Sequence, residues 1–367
     1  MNGSYLFAAV AVVFAAFVQY AKCKPGSGDE ILVQGPSRVL FVGHPMMSMH
    51  APVVSSVIEN LNIASSETDG ISAEDFRAIR ETVDVEANNP GDSSANIARC
   101  YAFLGGQASY FGICGDDDLA RHISDILLDY GVDDLTVRVP GLSTTQMFSL
   151  VTPDAESKSY ARFEASHTLK ADDLNESIIE DFDYYAVNGF MFADEEQIAL
   201  TNKMVDAALS RNKGLITVLA STECVKKYGE LLKPIADKSD FLAGSIEELS
   251  ELYEVPDRKE LFRMMTQRTA GIFPQNRAVI LMMGSKGAVI FYKGMHYYVP
   301  TEAVDAIDTT SAGDFYAGAV LYGLLNGWDV RASSQLGLTV YGDIVTHMGT
   351  LVTPKCLSKV QLVKDAA

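Results

Sequence analysis

The chain has 367 residues, of which 48% are hydrophobic and 9% aromatic, enough for a large buried core and too many for a chain disordered throughout. Its net charge of −19 argues against a nucleic-acid-binding protein, which needs a basic surface to replace counterions. Its 5 cysteines are scattered without a C-x-x-C pair, which argues against a zinc site or a dense disulfide framework.

The N-terminus carries an apolar run over residues 6–18, followed by Ala21-Lys22-Cys23 and a polar stretch. The run is short for a bilayer span, and small residues stand at the usual cleavage spacing. We therefore predict a secretory signal peptide over residues 1–23 and a linker over 24–36. The region before the apolar run has no Lys or Arg, so an uncleaved signal anchor is the alternative. Either reading places the protein in the secretory pathway, secreted or organellar, with membrane contact only if the segment stays uncleaved.

Short apolar runs alternate with amphipathic stretches through the rest of the chain. Strands are predicted at 37–45, 108–117, 184–192, 214–220 and 239–244, and a strand, Gly-rich turn and strand at 277–294. Helices are predicted at 72–84, 94–106, 119–131, 195–212, 224–237, 246–253 and, as the last one, 332–349. This alternation predicts an α/β fold with a mainly parallel central sheet and helices on both of its faces.

Two segments, near 45–65 and 135–165, fit this rhythm poorly. The second contains two apparent strands around the turn PDAES. We assign both segments to a small accessory β-sheet, a lid, within one domain over residues 37–357.

Residues 304–327 read VDAIDTTSAGDFYAGAVLYGLLNG, with a small-residue turn directly before an apolar helix. The N–H groups at a helix start carry partial positive charge and bind anions. Asp314, at the mouth of this helix, is therefore a candidate general base held beside an anion site. The alternative for Asp314 is a plain helix cap.

These residues resemble the two signatures of the ribokinase-like (PfkB) carbohydrate and nucleoside kinases. DTTSAGDFYAG is similar to the C-terminal signature D-T-x-G-A-G-D, and PGDSSANIARCYAFLGGQASYFGICGDDDLARHI to the N-terminal one. VGHPMMSMHAPV resembles the Gly-Asn-Pro opening of the adenosine-kinase branch, VTPDAESKSYARF the lid hairpin and ILMMGSKGAV a nucleotide loop. The similarity runs in order from about residue 38 to residue 349.

The resemblance implies a kinase that uses ATP and Mg²⁺ to phosphorylate a primary hydroxyl of a nucleoside or sugar, the 5′-hydroxyl in a nucleoside. Asp314 would be the base, and the amides of Ala312 and Gly313 would bind the developing negative charge. Asp308 would act through water and Mg²⁺. The implied nucleotide contacts are Ser245, Gly284, Lys286, Gly287, Thr310 and Ser311, and the implied metal residue is Glu248. The implied substrate contacts are Ser48, Gly91, Asp92 and Asn96, with Met147 and Phe163 supplying apolar contact from the lid or packing in the core.

The sequence departs from the family pattern at five positions: Ser48, Asp92, Ser245, Met282 and Ser311. The usual sugar-gripping Asp is Ser48, and Asp92 replaces a Gly, where it either supplies the lost carboxylate or blocks entry. Two readings therefore stay open, an active kinase and a degenerate pseudokinase that binds nucleotide or a partner as a scaffold. A phosphoryl-free sugar-binding module is disfavoured, because Asp314 and its anion turn would then have no task.

Two further expectations concern partners and histidines. The accessory sheet offers an edge through which a second copy could pair, so a homodimer is possible. His44 and His50 do not form a metal signature, and loop histidines that are exposed or packed are the more common explanation.

Overall fold

The computed structural model describes residues 36–64, 68–270 and 277–366. The predicted signal segment and all but the last residue of the predicted linker lie outside the described residues.

The strands are β1 Arg38–Val42, β2 Met46–Pro52, β3 Ala87–Pro90, β4 Gln107–Phe111, β5 Ile113–Gly115, β6 Asp133–Asp134, β7 Val137–Val139, β8 Thr145–Val151, β9 Ser157–Arg162, β10 Tyr184–Asn188, β11 Gly214–Val218, β12 Phe241–Ser245, β13 Ala278–Met282, β14 Ala288–Tyr292 and β15 Met295–Val299. The α-helices are α1 Ser55–Leu61, α2 Ala73–Thr82, α3 Ser93–Phe103, α4 Asp118–Asp129, α5 Glu176–Ile179, α6 Glu195–Ser210, α7 Thr222–Lys238, α8 Ile246–Leu252, α9 Arg258–Thr269, α10 Ala312–Leu325, α11 Val330–Ile344 and α12 Pro354–Ala366.

The central sheet has the strand order β15-β14-β13-β12-β11-β10-β1-β4-β6. All neighbours from β13 to β6 pair in parallel, while β14 and β15 form an antiparallel edge. The predicted α/β fold with a mainly parallel sheet is confirmed. Parallel neighbours need long crossovers, and the alternating helices along the chain supply them.

Two hydrophobic clusters pack on opposite faces of this sheet. Within β1, Val39 and Phe41 belong to one cluster, whereas Leu40 and Val42 belong to the other. Side chains alternate between the two faces of a strand, and both faces are buried here, so the strand is apolar throughout. The first cluster includes residues of α3, α10 and α11, and the second includes residues of α6, α7 and α8. Helices therefore cover both faces, as the sequence pattern indicates.

The accessory sheet has the order β3-β2-β8-β9. Strands β2 and β8 pair in parallel, and the other two pairs are antiparallel. The sequence interpretation of residues 45–65 differs from the structure in its second half, because residues 55–61 form the helix α1, whose Ile58 is buried. The sheet also gains β3, a short strand of the sequence ANNP that has no strand-like alternation.

Several elements were not predicted from the sequence. A further helix, α12, follows the stretch taken as the last one, and Pro354 at its first position is a typical helix start. Helix α9, whose N-cap is Asp257, and the edge strand β15 were also missed. Within the described residues, no helix is both long and apolar enough to span a membrane.

Candidate active site

Asp314 lies in the first turn of α10 and is hydrogen-bonded to α3. Ser93 donates its hydroxyl to Oδ1 at 2.5 Å, and Asn96 donates its side-chain amide to Oδ2 at 3.0 Å. Both donors stand one turn apart at the start of α3, so they reach the same carboxyl group. The packing of α3 against α10 therefore fixes the direction of the Asp314 carboxylate.

The environment of Asp314 favours its neutral form. The residue keeps some accessible surface, but its carboxyl group is surrounded by protein. The pKa of Asp314 is raised to about 7, mainly by this desolvation and also by the nearby Asp92 carboxylate. The hydrogen bonds from Ser93 and Asn96 and the charge of Arg99 act in the opposite direction. A carboxyl group with a pKa near neutrality can accept a proton and release it again at physiological pH.

Asp92 is the N-cap of α3 and uses its carboxylate within the fold. It accepts hydrogen bonds from the backbone N–H groups of Ala95 at 3.0 Å and His44 at 3.2 Å, and from the Tyr110 hydroxyl at 3.0 Å. Burial raises the pKa of Asp92 to about 6, against the effect of these hydrogen bonds. Asp92, which stands where the family pattern has Gly, therefore accepts three hydrogen bonds from within the protein.

The turn before α10 has an unusual backbone. Ser311, the N-cap, adopts the left-handed conformation with φ of 58°, and its side chain makes no capping hydrogen bond. The N–H of Ala312 donates to the carbonyl oxygen of Thr309 at 3.2 Å. Within the described part of the chain, the N–H of Gly313 has no hydrogen-bond partner. Of the two amides predicted for the anion site, Gly313 is therefore the one whose N–H is not already used.

The segment just before this turn is anchored to the accessory sheet. Asp308 is fully buried, and its Oδ2 lies 2.9 Å from Nδ1 of His50 on β2. The N–H groups of Thr310 and Gly349 also donate to Asp308, at 2.9 and 3.0 Å. Burial opposes ionisation, but these donors hold the pKa of Asp308 below its ordinary value. The hydroxyl of Thr310 lies 2.9 Å from that of Ser149.

The turn between β13 and β14 contains the predicted nucleotide loop. Gly284 and Gly287 have φ of 56° and 90°, and a Cβ on Gly287 would come within 2.2 Å of the Val299 carbonyl oxygen. Glycine is therefore required at Gly287. The Lys286 side chain is exposed. Met282 is half-buried. A Cβ placed on Gly313 would lie 3.3 Å from the Met282 sulfur, so this thioether borders the turn before α10.

Ser245 and Glu248 form a capping box at the start of α8. Ser245 accepts from the Glu248 N–H at 3.1 Å, and Glu248 Oε2 accepts from the Ser245 N–H at 2.8 Å. Such reciprocal bonds satisfy two N–H groups that the helix cannot pair itself. One carboxylate oxygen of Glu248 is thereby used in the helix cap.

The predicted substrate side lies where β2 meets the start of α3. Ser48 is buried opposite Gly91, where a Cβ would come within 2.6 Å of the Ser48 Cβ. Its hydroxyl has no partner among the described residues. Phe163 stacks on His167 with a centroid distance of 4.1 Å, and His44 packs edge-on against Phe163 at 6.0 Å. Aromatic and imidazole rings therefore form one wall of this end.

One cavity of about 970 Å³ joins these parts. The predicted site residues that line it are Gly91, Asp92, Met147, Phe163, Ser245, Glu248, Gly284, Gly287, Thr310, Ser311, Ala312, Gly313 and Asp314. Four predicted site residues do not line it: Ser48, Asn96, Lys286 and Asp308. The lining carboxylates are Asp92, Asp154, Glu156, Glu248, Glu302 and Asp314, and the described lining contains no Lys or Arg. A cavity of this volume is large enough for a small-molecule ligand.

Three residues at this site were not assigned from the sequence. Ser93 lies within the N-terminal motif, but no local signal reveals its contact with Asp314, which is 221 residues away. Arg99 is fully buried behind Asn96 and donates to its side-chain oxygen. His50 was interpreted as a loop histidine, whereas it lies in β2 and pairs with Asp308. Strand alternation could not have placed it inside, because every residue of β2 before Pro52 is buried.

Comparisons with known proteins agree with this geometry. A family model described as pfkB family carbohydrate kinase matches residues 64–355. The chain is 29% identical over 252 residues to "Probable fructokinase-3" of Arabidopsis thaliana, covering 66% of this chain and 70% of that protein. It is 26% identical over 254 residues to the aminoimidazole riboside kinase of Salmonella typhimurium, covering 65% and 76%.

The fold is shared with a solved adenosine kinase from Sinorhizobium meliloti, with a TM-score of 0.81 and 20% identity, over 90% of this chain and 99% of that one. Both signatures, the fold and the family match thus agree. The chain belongs to the pfkB family of carbohydrate and nucleoside kinases.

Proposed function

We propose that the protein transfers the γ-phosphoryl group of ATP to a primary hydroxyl of a sugar or nucleoside, with Asp314 as general base. The observation that carries the proposal is the Asp314 carboxyl group, oriented by Ser93 and Asn96 in the wall of the cavity next to the Gly313 amide. Phosphoryl transfer needs positioning, charge stabilisation and a proton acceptor, and this arrangement can supply all three.

The proposed phosphoryl transfer forms one bond to the γ-phosphorus and breaks another. The acceptor hydroxyl gives its proton to the ionised Asp314 carboxylate while its oxygen forms a bond to the γ-phosphorus. The bond from that phosphorus to the β–γ bridging oxygen breaks, and ADP leaves with the electron pair. The N–H of Gly313, at the start of α10, stabilises the charge that develops on the transferred group.

The residues fit a Mg²⁺ ion that enters with the nucleotide. No group of three His, Cys, Asp or Glu side chains is placed to hold a metal within the described residues, so a site built from protein alone is not expected. Mg²⁺ commonly uses one or two carboxylates together with substrate phosphates, and Glu248 and Glu302 line the cavity as candidates. When bound, the ion neutralises phosphate charge and so favours the approach of the acceptor oxygen.

One observation favours the second candidate function, a nucleotide- or partner-binding pseudokinase. The described cavity lining contains six carboxylates but no Lys or Arg, so the triphosphate would meet no cationic side chain there. Nucleotide binding would then depend strongly on the divalent cation. A pseudokinase would bind without turnover, and the two candidates therefore differ in product formation.

The test uses the full chain with ATP, Mg²⁺ and a panel of adenosine, ribose and fructose, and it measures ADP release and the phosphorylated acceptor. The active-kinase proposal expects product with at least one acceptor and a loss of about 10²-fold or more in Asp314→Asn. The matched control is Asp84→Asn, which changes an exposed loop carboxylate that does not line the described cavity.

Thermal shifts separate the two candidates when no product forms. Stabilisation by ATP with Mg²⁺, removed by EDTA, together with no product from any acceptor, would favour the pseudokinase. Folded protein without either response would contradict both candidates.

Two predictions about the cell remain proposals. Residues 1–23 support a secretory route, which N-terminal sequencing of the secreted or organellar protein would test. The strand β9 lies at one edge of the accessory sheet, so a homodimer could form by pairing there. Sedimentation of the β9 variant Ser159→Pro would test that interface.

A further inference from the structure

Arg99 on α3 is a fully buried cation whose hydrogen bonds all go to neutral acceptors. Its guanidinium donates to the Thr350 carbonyl and hydroxyl oxygens, each at 3.0 Å, and to the Pro90 carbonyl oxygen at 3.1 Å. It also donates to the side-chain oxygen of Asn96. Among the described residues, no carboxylate lies within ion-pair distance of it, and its Nε has no partner. Burial of a charge without a direct counter-ion is costly, so this residue calls for an explanation.

The aromatic rings around Arg99 compensate only part of that cost. The guanidinium carbon lies 5.2 Å from the centre of the Phe315 ring and 5.3 Å from that of Tyr130. Such cation–π contacts stabilise a buried cation, but less than a direct counter-ion would. Phe315 directly follows Asp314, so the same cation touches the helix turn that carries the proposed base.

The contact with Asn96 gives the guanidinium an effect on Asp314. Arg is only a donor, so the Asn96 atom that faces it must be the side-chain oxygen. The amide nitrogen of Asn96 then points the other way, where it donates to Asp314 Oδ2 at 3.0 Å. The chain Arg99–Asn96–Asp314 therefore has one polarity, which an amide flip would break at both ends.

The charged groups that act on Asp314 are Asp92 and Arg99, which have opposite effects. The carboxylate of Asp92 disfavours ionisation of Asp314, whereas the guanidinium of Arg99 favours it. Ser93 and Asn96, the uncharged donors, favour the carboxylate as well. Arg99 is thus the only cation among the groups identified as acting on Asp314 within the described residues.

We propose that Arg99 is a positioning residue, which acts through Asn96 to aim the Asp314 carboxylate and whose charge favours the ionised form of that carboxylate. Its contacts with Pro90 and Thr350 also tie the loop that contains Gly91 to the C-terminal segment. The inference depends on the proposed function for its catalytic consequence, but the effect on Asp314 ionisation can be measured without turnover.

The main experiment replaces Arg99 by Met, which keeps apolar volume and removes the charge. The acidic limb of the kcat profile should move to higher pH by about one unit, so activity at pH 7 falls several-fold and recovers at pH 9. Arg99→Lys keeps the charge and should leave the limb in place. A structural role alone would lower stability or kcat at every pH without moving the limb.

The matched control is Arg268→Met. Arg268 is also largely buried and donates to backbone carbonyl oxygens of Ala236, Asp237 and Ser239. Unlike Arg99 it also pairs with a carboxylate, that of Asp237 at 3.2 Å, and it is not among the groups that act on Asp314. It should cost stability and leave the pH limb unchanged. If Arg99→Met does not fold, Arg99→Gln is the second variant, since its amide can still donate to Asn96 while the charge is lost.

A second readout needs no kinase activity. The difference in unfolding midpoint between the parent and Asp314→Asn, followed from pH 4 to pH 9, reports where Asp314 ionises in the folded protein. Loss of the Arg99 charge should move that ionisation upward by about one unit. A shift without any phosphoryl transfer would reject the proposed function but support the inference. An unchanged Asp314 titration in folded Arg99→Met or Arg99→Gln would overturn it, even if the enzyme is active.

Discussion

His50 Nδ1 lies 2.9 Å from Asp308 Oδ2, and neither side chain has any exposed surface. The pair joins β2 of the accessory sheet to the segment that leads into α10, across 258 residues of sequence. Asp308 also accepts from two backbone N–H groups, so its carboxylate is satisfied by the protein. The first Asp of the C-terminal signature thus holds the accessory sheet against the helix that carries Asp314.

Removal of the histidine should leave a buried carboxylate without one of its hydrogen-bond partners. We expect His50→Leu to lower the free energy of unfolding by about 1–3 kcal/mol at pH 7, measured by urea denaturation. The cost should shrink at low pH, because Asp308 has a lowered pKa in the folded state. The stability that the ionised Asp308 carboxylate contributes is present above the pKa that Asp308 has in the unfolded chain. It is lost as the pH falls through the pKa that Asp308 has in the folded protein.

The exposed His122 on α4 provides the control, since His122→Leu removes an imidazole without a buried partner. A loss below about 1 kcal/mol in His50→Leu, similar to that of the control, would show that the pair contributes little.

The raised pKa of Asp314 predicts a pH dependence of activity. With a pKa of about 7, the carboxylate becomes available as a base only as the pH rises through neutrality. We expect kcat/KM to increase from pH 5.5 to a plateau above about pH 8, with an acidic limb near 7 that reports the free enzyme. An acidic limb near pH 4 would mean that the base is an ordinary exposed carboxylate.

The same residue should affect stability with the opposite sign from Asp308. Its folded pKa lies above the unfolded value, so the stability that its neutral form supplies is fully present below about pH 4 and is lost as the pH rises through 7. Asp314→Asn should therefore match the parent at pH 4 and exceed it by about 2–4 kcal/mol at pH 8. Equal stability of the two proteins across this range would contradict the desolvation argument.

Local patterns predicted much of the fold because they depend on a few neighbouring residues. Ser72 begins the predicted helix over 72–84, and it accepts a hydrogen bond from the Asp75 N–H at 3.0 Å as the N-cap. Gly105 and Gly131 lie at the ends of the helices predicted over 94–106 and 119–131, and both have positive φ. Alternation of apolar runs and helices was also enough to predict the parallel sheet.

The contacts that orient the site were not predictable in the same way. Ser93 and Asp314 meet only because α3 packs on α10, and His50 meets Asp308 only because β2 turns its polar side chain inward. Such contacts depend on the packed fold rather than on spacing along the chain. A family motif could name Asn96 as a substrate contact, but only its position beside Arg99 and Asp314 indicates that it can act on the base.

Ser311 should be a strained position that glycine relieves. Its φ of 58° is a left-handed conformation, which costs a residue with a Cβ about 1–2 kcal/mol, and its hydroxyl makes no capping bond. Glycine also adds conformational entropy to the unfolded chain. This entropy offsets about 0.4–1 kcal/mol of the stabilisation expected from relief of the backbone strain. We expect Ser311→Gly to raise the free energy of unfolding by up to about 1 kcal/mol, measured by urea denaturation.

Ser221 provides a matched comparison, since it is also an N-cap serine. Its φ is −156°, and its side chain accepts from the Cys224 N–H at 3.1 Å. Ser221→Gly should be neutral or destabilising, because glycine relieves no strain there and removes the cap. If both variants were destabilised equally, the backbone of Ser311 would carry no measurable strain.

Asp92 should shift the titration of Asp314 in the direction opposite to Arg99. Its carboxylate raises the pKa of Asp314, so Asp92→Asn should move the acidic limb of kcat/KM to lower pH by about half a unit to one unit. The variant keeps an oxygen for the helix cap, and the cost of losing the second acceptor is opposed by the removal of a buried charge whose pKa is raised to about 6. The control is Asp117→Asn, because Asp117 caps α4 in the same way, accepting from the Ala120 N–H at 2.9 Å and from Thr144. A shift of the limb in both variants, or in neither, would mean that the charge of Asp92 does not act on Asp314. A shift in Asp92→Asn alone would show that the substituted signature residue moves the ionisation of the base closer to neutral pH.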